Sequence, residues 1–184
     1  MKRTISVLLL VILLLSAGAW AFAEDWNPDV SFTTVDTEGR EWTDETFKEA
    51  SLTMLNFWAY WCPPCVGEMP DLQKLSEDYP DLQLLGVSME EFVQDNIKKM
   101  EELEVKYPTL RMTDSLLEVM DTGYIPTTIF VNSEGRIVGE TYVGGKSYKE
   151  WAGIVEKLLE ENPRVEKNTD EPSDGKGATE DGGR

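Results

Sequence analysis

Histidine is absent from this 184-residue sequence, and cysteine occurs only twice. Without histidine the chain cannot form a Ser–His–Asp or Cys–His catalytic site, or any metal site that needs imidazole. Two cysteines are also too few to complete a four-cysteine zinc site within one chain. The chemistry left to these two residues, Cys62 and Cys65, is disulfide exchange or the binding of a soft ion such as Cu(I).

Positive charge is also scarce. The sequence has 17 lysines and arginines against 35 aspartates and glutamates, and its formal net charge is −18. Nucleic-acid binding needs a basic footprint, which this composition excludes, and an anionic lipid surface would repel the chain. We expect most of the acidic side chains to form solvated faces that aid solubility.

The N-terminus has the pattern of a secretory signal peptide. Lys2 and Arg3 precede the apolar run Ile5–Leu15, and Ala21-Phe22-Ala23 supplies a small-residue cleavage site. We therefore predict a signal peptide over residues 1–23. The alternative is an uncleaved anchor, because the apolar stretch is just long enough to cross a bilayer. Both interpretations place the domain outside the cytoplasm, where disulfides persist.

The rest of the chain reads as one α/β domain. A lead segment, 24–29, precedes a domain at 30–162, and a glycine-rich acidic tail, 163–184, lacks apolar periodicity and is expected to be disordered. The domain begins with a predicted β-hairpin and continues with alternating strands and helices, which indicates a central sheet flanked by helices. Its last helix opens with the capping box Ser147–Glu150.

Cys62-Pro63-Pro64-Cys65 follows the buried strand predicted at Leu52–Trp58 and begins a predicted helix. A helix N-terminus favours a thiolate. A purely structural disulfide is the other interpretation, but such a short loop stabilises a fold little. We favour a redox pair in which Cys62 attacks and Cys65 resolves the mixed disulfide. Because the two prolines have no N–H, we expect a moderately stabilised thiolate, which favours a reductant over a strong oxidant.

Three further residues bear on the site. Glu68 is either an exposed helix-dipole partner or an acid that handles protons and raises the cysteine pKa values. Trp61 is expected to be partly exposed beside the pair, with Trp58 in the core. Pro126 opens a strand, and general frequencies favour the trans isomer for its peptide bond.

The stretch Asn56–Cys65, followed by Glu68-Met69-Pro70, resembles the active-site strand and helix of the extracytoplasmic TlpA/ResA-like thioredoxins, a group that includes the cytochrome c maturation thioredoxins. Ile125-Pro126-Thr127-Thr128 matches the group's second motif. The resemblance implies a thioredoxin-like fold, with an N-terminal β-hairpin and a βα insertion around Leu82–Met112. Asn56 departs from cytosolic thioredoxins, which carry a buried acid there, so that proton route is absent.

The resemblance also implies roles for individual residues. Cys62, Cys65 and Glu68 would be catalytic, and Pro126 would be a cis-proline facing the disulfide. The remaining substrate-binding positions implied are Trp61, Pro63, Pro64 and Ile125, with the Ile125 backbone pairing an incoming strand.

The function implied is that of an extracytoplasmic thiol–disulfide oxidoreductase. We expect a monomeric disulfide reductase with no cofactor beyond its own disulfide. The expected partners are a disulfide-bearing protein substrate, with apocytochrome c as one candidate, and a membrane electron donor of the CcdA or DsbD kind. The alternatives are an oxidant or isomerase of protein disulfides and a redox-inert Cu(I)-binding module.

Overall fold

The computed structural model describes residues 28–90 and 93–164. The predicted signal peptide 1–23, most of the lead segment 24–29 and most of the tail 163–184 lie outside the described residues. Within the described part, no helix is both long and apolar enough to span a membrane. The first described residues anchor the domain: the Asp29 carboxylate accepts the Ile137 N–H at 3.1 Å and pairs with Arg136 at 3.0 Å.

The chain begins with the predicted hairpin, β1 (Thr33–Val35) and β2 (Glu41–Thr43), which is followed by a 3₁₀ helix at Asp44–Glu49. The buried carboxylate of Asp36 organises the turn. It accepts hydrogen bonds from the backbone N–H groups of Glu38 and Arg40, and from the side chains of Arg40 at 2.7 Å and Trp42 at 2.9 Å. A turn of charged and polar residues is thereby fixed through one acidic side chain.

A five-stranded mixed sheet forms the centre, as predicted. Its spatial order is β5-β4-β3-β6-β7. The parallel part contains β3, β4 and β5, whereas β6 is antiparallel to β3, and β7 is antiparallel to β6. The strands are β3 (Leu52–Trp58), β4 (Leu82–Ser88), β5 (Thr109–Arg111), β6 (Thr127–Asn132) and β7 (Ile137–Val143). Every residue of β3 is buried, because both faces of the sheet are covered.

In the described part of the chain, four helices flank the sheet: α1 (Pro63–Asp78), α2 (Val93–Glu102), α3 (Asp114–Met120) and α4 (Tyr148–Glu161). Helices α1 and α4 cover one face, where Met69 and Leu72 of α1 meet Trp151 of α4 in one apolar core. The hairpin, the 3₁₀ helix and α3 cover the other face. The segment predicted to hold an insertion contains β4, α2 and β5. Pro70 lies inside α1, as the sequence predicts.

Candidate functional site

The disulfide Cys62–Cys65 lies at the N-terminus of α1, directly after β3. The two Sγ atoms are 2.08 Å apart, and Cys62 is the residue that caps the helix. Cys62 keeps 4% of its surface exposed, whereas Cys65 has none. The sulfur of Cys62 is therefore the one that an incoming thiol or disulfide can reach.

Few backbone donors reach the Cys62 sulfur. The N–H of Cys65 points to it with an N···S distance of 3.4 Å. Pro63 and Pro64 occupy the first turn of α1 and have no N–H to offer, and both are exposed. The helix N-terminus thus presents fewer hydrogen bonds to this sulfur than a first turn without prolines could.

The loop before β6 faces the disulfide from the opposite side. The Ile125–Pro126 peptide bond is cis, so the trans isomer expected from general frequencies is wrong here, and the isomer implied by the resemblance is present. The carbonyl oxygen of Ile125 lies 3.8 Å from Cys62 Sγ. When the disulfide is reduced, this oxygen can accept a hydrogen bond from the Cys62 thiol.

Two exposed aromatic side chains lie next in sequence to the residues that meet here, Cys62 and Ile125. Trp61, directly before Cys62, is 59% exposed, and its indole N–H donates to Glu90. Tyr124, directly before Ile125, is 71% exposed. Trp58 lies fully buried in the core, as predicted. Sequence reasoning missed Tyr124, although its position next to Ile125-Pro126 would have indicated it.

Glu68 is buried rather than exposed. Only 3% of its surface is accessible, so the exposed helix-dipole interpretation is wrong. Its Oε1 accepts from Asn56 Nδ2 at 3.0 Å. Its Oε2 accepts from the backbone N–H of Lys146 at 3.0 Å and from Trp151 Nε1 at 3.1 Å. Glu68 follows Cys65 by one helical turn, which places both on the same side of α1.

The pKa of Glu68 is raised above its ordinary value of 4.5, chiefly because burial disfavours the charged form. The hydrogen bonds from Lys146, Asn56 and Trp151 oppose this shift, as does the Lys146 charge, but burial prevails. The site therefore holds a carboxyl group that binds a proton more tightly than an exposed glutamate does.

In the structure, Asn56 contacts a buried carboxyl group, that of Glu68. The sequence predicts that the buried acid of cytosolic thioredoxins is missing at this strand position. The structure brings a carboxyl group to the same place from α1, because the Asn56 amide bridges Glu68 and Thr128 Oγ1 at 3.0 Å each. Sequence reasoning also missed Lys146 and Trp151 as partners of Glu68, since nothing local in the sequence marks these long-range contacts.

The described residues contain no group of three or more histidine, cysteine, aspartate or glutamate side chains arranged to hold a metal ion. Hydrolytic chemistry based on histidine is excluded by the composition. What the site does present is the cysteine pair Cys62–Cys65, joined as a disulfide.

The fold and this site define a thioredoxin-like thiol–disulfide oxidoreductase with Cys62 and Cys65 as its cysteine pair. The family model of the AhpC/TSA family matches residues 25–139, which is more than half of the chain. The chain belongs to this family.

Individual relatives point to the same class. The chain is 31% identical over 136 residues to the thiol-disulfide oxidoreductase ResA of Halalkalibacterium halodurans, covering 71% of this chain and 73% of that protein. The crystal structure of StoA from Bacillus subtilis superposes with a TM-score of 0.55 at 25% identity, covering 71% of this chain and 98% of that one. A thioredoxin family protein from Chlorobium tepidum, at 24% identity and a TM-score of 0.65, covers 75% of this chain and 99% of its own and supports the fold alone.

Proposed function

We propose that this protein is an extracytoplasmic disulfide reductase. The observation that carries this direction is the sparse stabilisation of the Cys62 sulfur, which among residues 28–90 and 93–164 one backbone N–H, that of Cys65, approaches at 3.4 Å. Strong oxidants of this class owe their potential to a stabilised reduced form. A thiolate with few donors, and with the acid Glu68 buried close by, lacks that stabilisation, so the disulfide is the favoured state and the dithiol donates electrons.

The proposed reaction proceeds in two exchanges. The Cys62 thiolate attacks one sulfur of a client disulfide, and the other client sulfur leaves as a thiolate that takes up a proton. Cys65 then loses its proton to Glu68 and attacks Cys62, which re-forms the internal disulfide and releases the client dithiol. Two electrons pass to the client, and an external dithiol must reduce Cys62–Cys65 again.

The surroundings of Cys62 suit an extended peptide. The Ile125 backbone lies next to Cys62, and we propose that it pairs with the strand that carries the client disulfide. The exposed rings of Trp61 and Tyr124 would hold apolar client residues on either side, and Pro63 and Pro64 would contact the client from the helix. Pro126 would keep the loop backbone within reach of the client sulfur.

The partners follow from this role. The signal-peptide pattern at residues 1–23 supports a location outside the cytoplasm, either free or held by an uncleaved anchor. We propose a membrane electron donor of the CcdA or DsbD kind, a monomeric state, and a protein client, for which apocytochrome c is the first candidate to test. Similarity to relatives such as the "Thiol:disulfide interchange protein DsbE" of Haemophilus influenzae supports exchange with disulfides.

The reduction potential of the purified protein tests the direction. Equilibration with glutathione or dithiothreitol should give a value near that of thioredoxin, about −270 mV. A value near about −120 mV, typical of a strong oxidant, would contradict the proposal and favour the oxidant or isomerase alternative. Stoichiometric Cu(I) binding without disulfide exchange would favour the metal-binding alternative.

Paired cysteine variants test the order of attack. Cys65→Ser should accumulate mixed disulfides with clients through Cys62, because the resolving thiol is gone. Cys62→Ser is the matched control and should trap nothing, since Cys65 is fully buried. Trapping through Cys65 instead would show that the two roles are reversed.

A further inference from the structure

The single polar group of Trp151 is directed at Glu68. This tryptophan lies in the apolar core between α1 and α4 with none of its surface exposed, and its Nε1 donates to Glu68 Oε2 at 3.1 Å. An indole is a donor only, so this contact uses its whole hydrogen-bonding capacity. The two residues are 83 positions apart in the sequence, and the contact exists only because α4 packs on α1.

The other groups around the carboxylate set its charge balance. The Lys146 ammonium lies 5.4 Å from the Trp151 ring centroid and 5.7 Å from that of Tyr142, so its charge is held on the α4 side. On the other side, the buried hydroxyl of Tyr107 has a pKa raised by burial and, further, by the Glu68 charge. In the reduced protein, the thiols of Cys62 and Cys65 add two titratable groups at the start of the same helix.

We propose that Trp151 is a positioning residue for disulfide exchange, whose indole N–H holds Glu68 Oε2 in place and stabilises the carboxylate that accepts the Cys65 proton. This inference rests on the proposed proton-handling role of Glu68. In the resolving step, the S–H bond of Cys65 breaks, its proton goes to a Glu68 oxygen, and the sulfur electron pair forms the bond to Cys62. At the same time the bond between Cys62 and the client sulfur breaks, and the client sulfur leaves with that electron pair as a thiolate. A hydrogen bond that favours the charged carboxylate keeps Glu68 ionised, and so able to act as a base, at lower pH.

The indole resonance of Trp151 reports on this contact directly. In the ¹H–¹⁵N spectrum of the reduced protein, the indole peak that disappears in Trp151→Phe identifies Trp151 among the six tryptophans. We expect this peak to shift with pH along the titration of Glu68 and to stay fixed in Glu68→Gln. An indole resonance that ignores pH in the unmodified protein would overturn the proposal.

The functional effect is measured by a double-mutant cycle on the cysteine pKa values, followed by thiolate absorbance. Trp151→Phe keeps an aromatic ring but removes the donor, so the pKa of Glu68 should rise by about one pH unit. Glu68 is then neutral over a wider pH range, so its repulsion of the thiolates weakens and the Cys62 pKa falls. In the Glu68→Gln background, Trp151→Phe should change the Cys62 pKa no further.

A matched control separates positioning from packing. Phe130 contacts the Trp151 ring at a centroid distance of 6.2 Å and has no polar group, so Phe130→Leu disturbs the same core without removing a hydrogen bond. It should leave the Glu68 titration unchanged. Two results would show that Trp151 acts only through core packing and would overturn the proposal. One is a shift of the Glu68 titration by Phe130→Leu as large as that by Trp151→Phe. The other is a change of the Cys62 pKa by Trp151→Phe that persists in the Glu68→Gln background. If Glu68→Gln leaves the cysteine pKa values unchanged, the proton-handling role of Glu68 and the positioning role of Trp151 are both overturned. An oxidising reduction potential, with the coupling between Trp151 and Glu68 intact, would overturn only the reductase direction.

Discussion

At the scale of single residues, Glu68 is a buried acid whose ionisation opposes folding. Burial raises its pKa, so the folded protein binds this proton more tightly than the unfolded chain does. The resulting stabilisation is complete below about pH 4.5, the ordinary value, and is lost as the pH rises through the raised folded pKa. We expect Glu68→Gln to abolish this loss. In urea unfolding of the oxidised proteins, the free energy of unfolding of the variant should rise relative to that of the parent as the pH rises. The total rise should be about 1.4 kcal/mol for each unit by which folding raises the Glu68 pKa.

Asp36 is a control for this pH dependence, because its pKa is lowered in the folded protein rather than raised. Burial alone would raise its pKa, but the hydrogen bonds from Trp42, Arg40 and Glu38 together outweigh burial and lower it below 3.8. Its stabilisation is therefore present above the ordinary value and is lost as the pH falls through the lowered folded pKa. Asp36→Asn should destabilise the protein at neutral pH, and the difference from the parent should shrink in acid. If Glu68→Gln followed this pattern instead, the raised pKa assigned to Glu68 would be wrong.

At the scale of elements, the active-site helix also caps the last helix. Two carboxylates one turn apart on α1, those of Glu68 and Asp71, accept the backbone N–H groups of Lys146 at 3.0 Å and Tyr148 at 2.9 Å. The Tyr148 N–H lies in the first turn of α4, where helix geometry leaves donors without intrahelical partners, and Lys146 lies just before the residue that caps this helix. Helix α4 is thus tied to the site through its own N-terminus, and changes in the turn before it should reach Glu68.

Two glycine-to-alanine substitutions test that turn. A Cβ at Gly145 would lie 2.9 Å from the carbonyl oxygen of Pro64, a backbone atom in the first turn of α1. We expect Gly145→Ala to cost about 1–3 kcal/mol, since the two segments must separate. Gly67→Ala is the matched control on α1, with no atom within 4 Å of the new Cβ, and should stabilise by up to about 1 kcal/mol. Thermal unfolding measures both, and a neutral Gly145→Ala would show that the turn yields freely.

At the scale of the whole molecule, local patterns predicted the elements, whereas long-range packing decided the site. The strand Leu52–Trp58 and the capping box at Ser147 are encoded in adjacent residues, and the structure contains both. The burial of Glu68 is not encoded locally, because a glutamate early in a helix suits an exposed position equally well. Its partners Lys146 and Trp151 come from beyond β7, and only the packing of α4 on α1 brings them to the site. The resemblance drew attention to Glu68, and the tertiary structure defined its surroundings.

The net charge of −18 makes a prediction about clients that no single residue makes. A strongly acidic molecule attracts cationic partners and repels anionic ones over a distance that salt shortens, from about 30 Å at 0.01 M to about 8 Å at 0.15 M. Glu90, which accepts the indole N–H of the exposed Trp61, places a negative charge on the surface near Cys62. We expect a lysine-rich disulfide peptide to react faster with the reduced protein than a glutamate-rich peptide of equal length, as followed by stopped-flow tryptophan fluorescence. Added salt should slow the first reaction and speed the second, and an uncharged peptide should respond to neither. Identical salt responses for all three peptides would mean that the acidic surface does not guide encounter, and that the groups around Cys62 alone select the client.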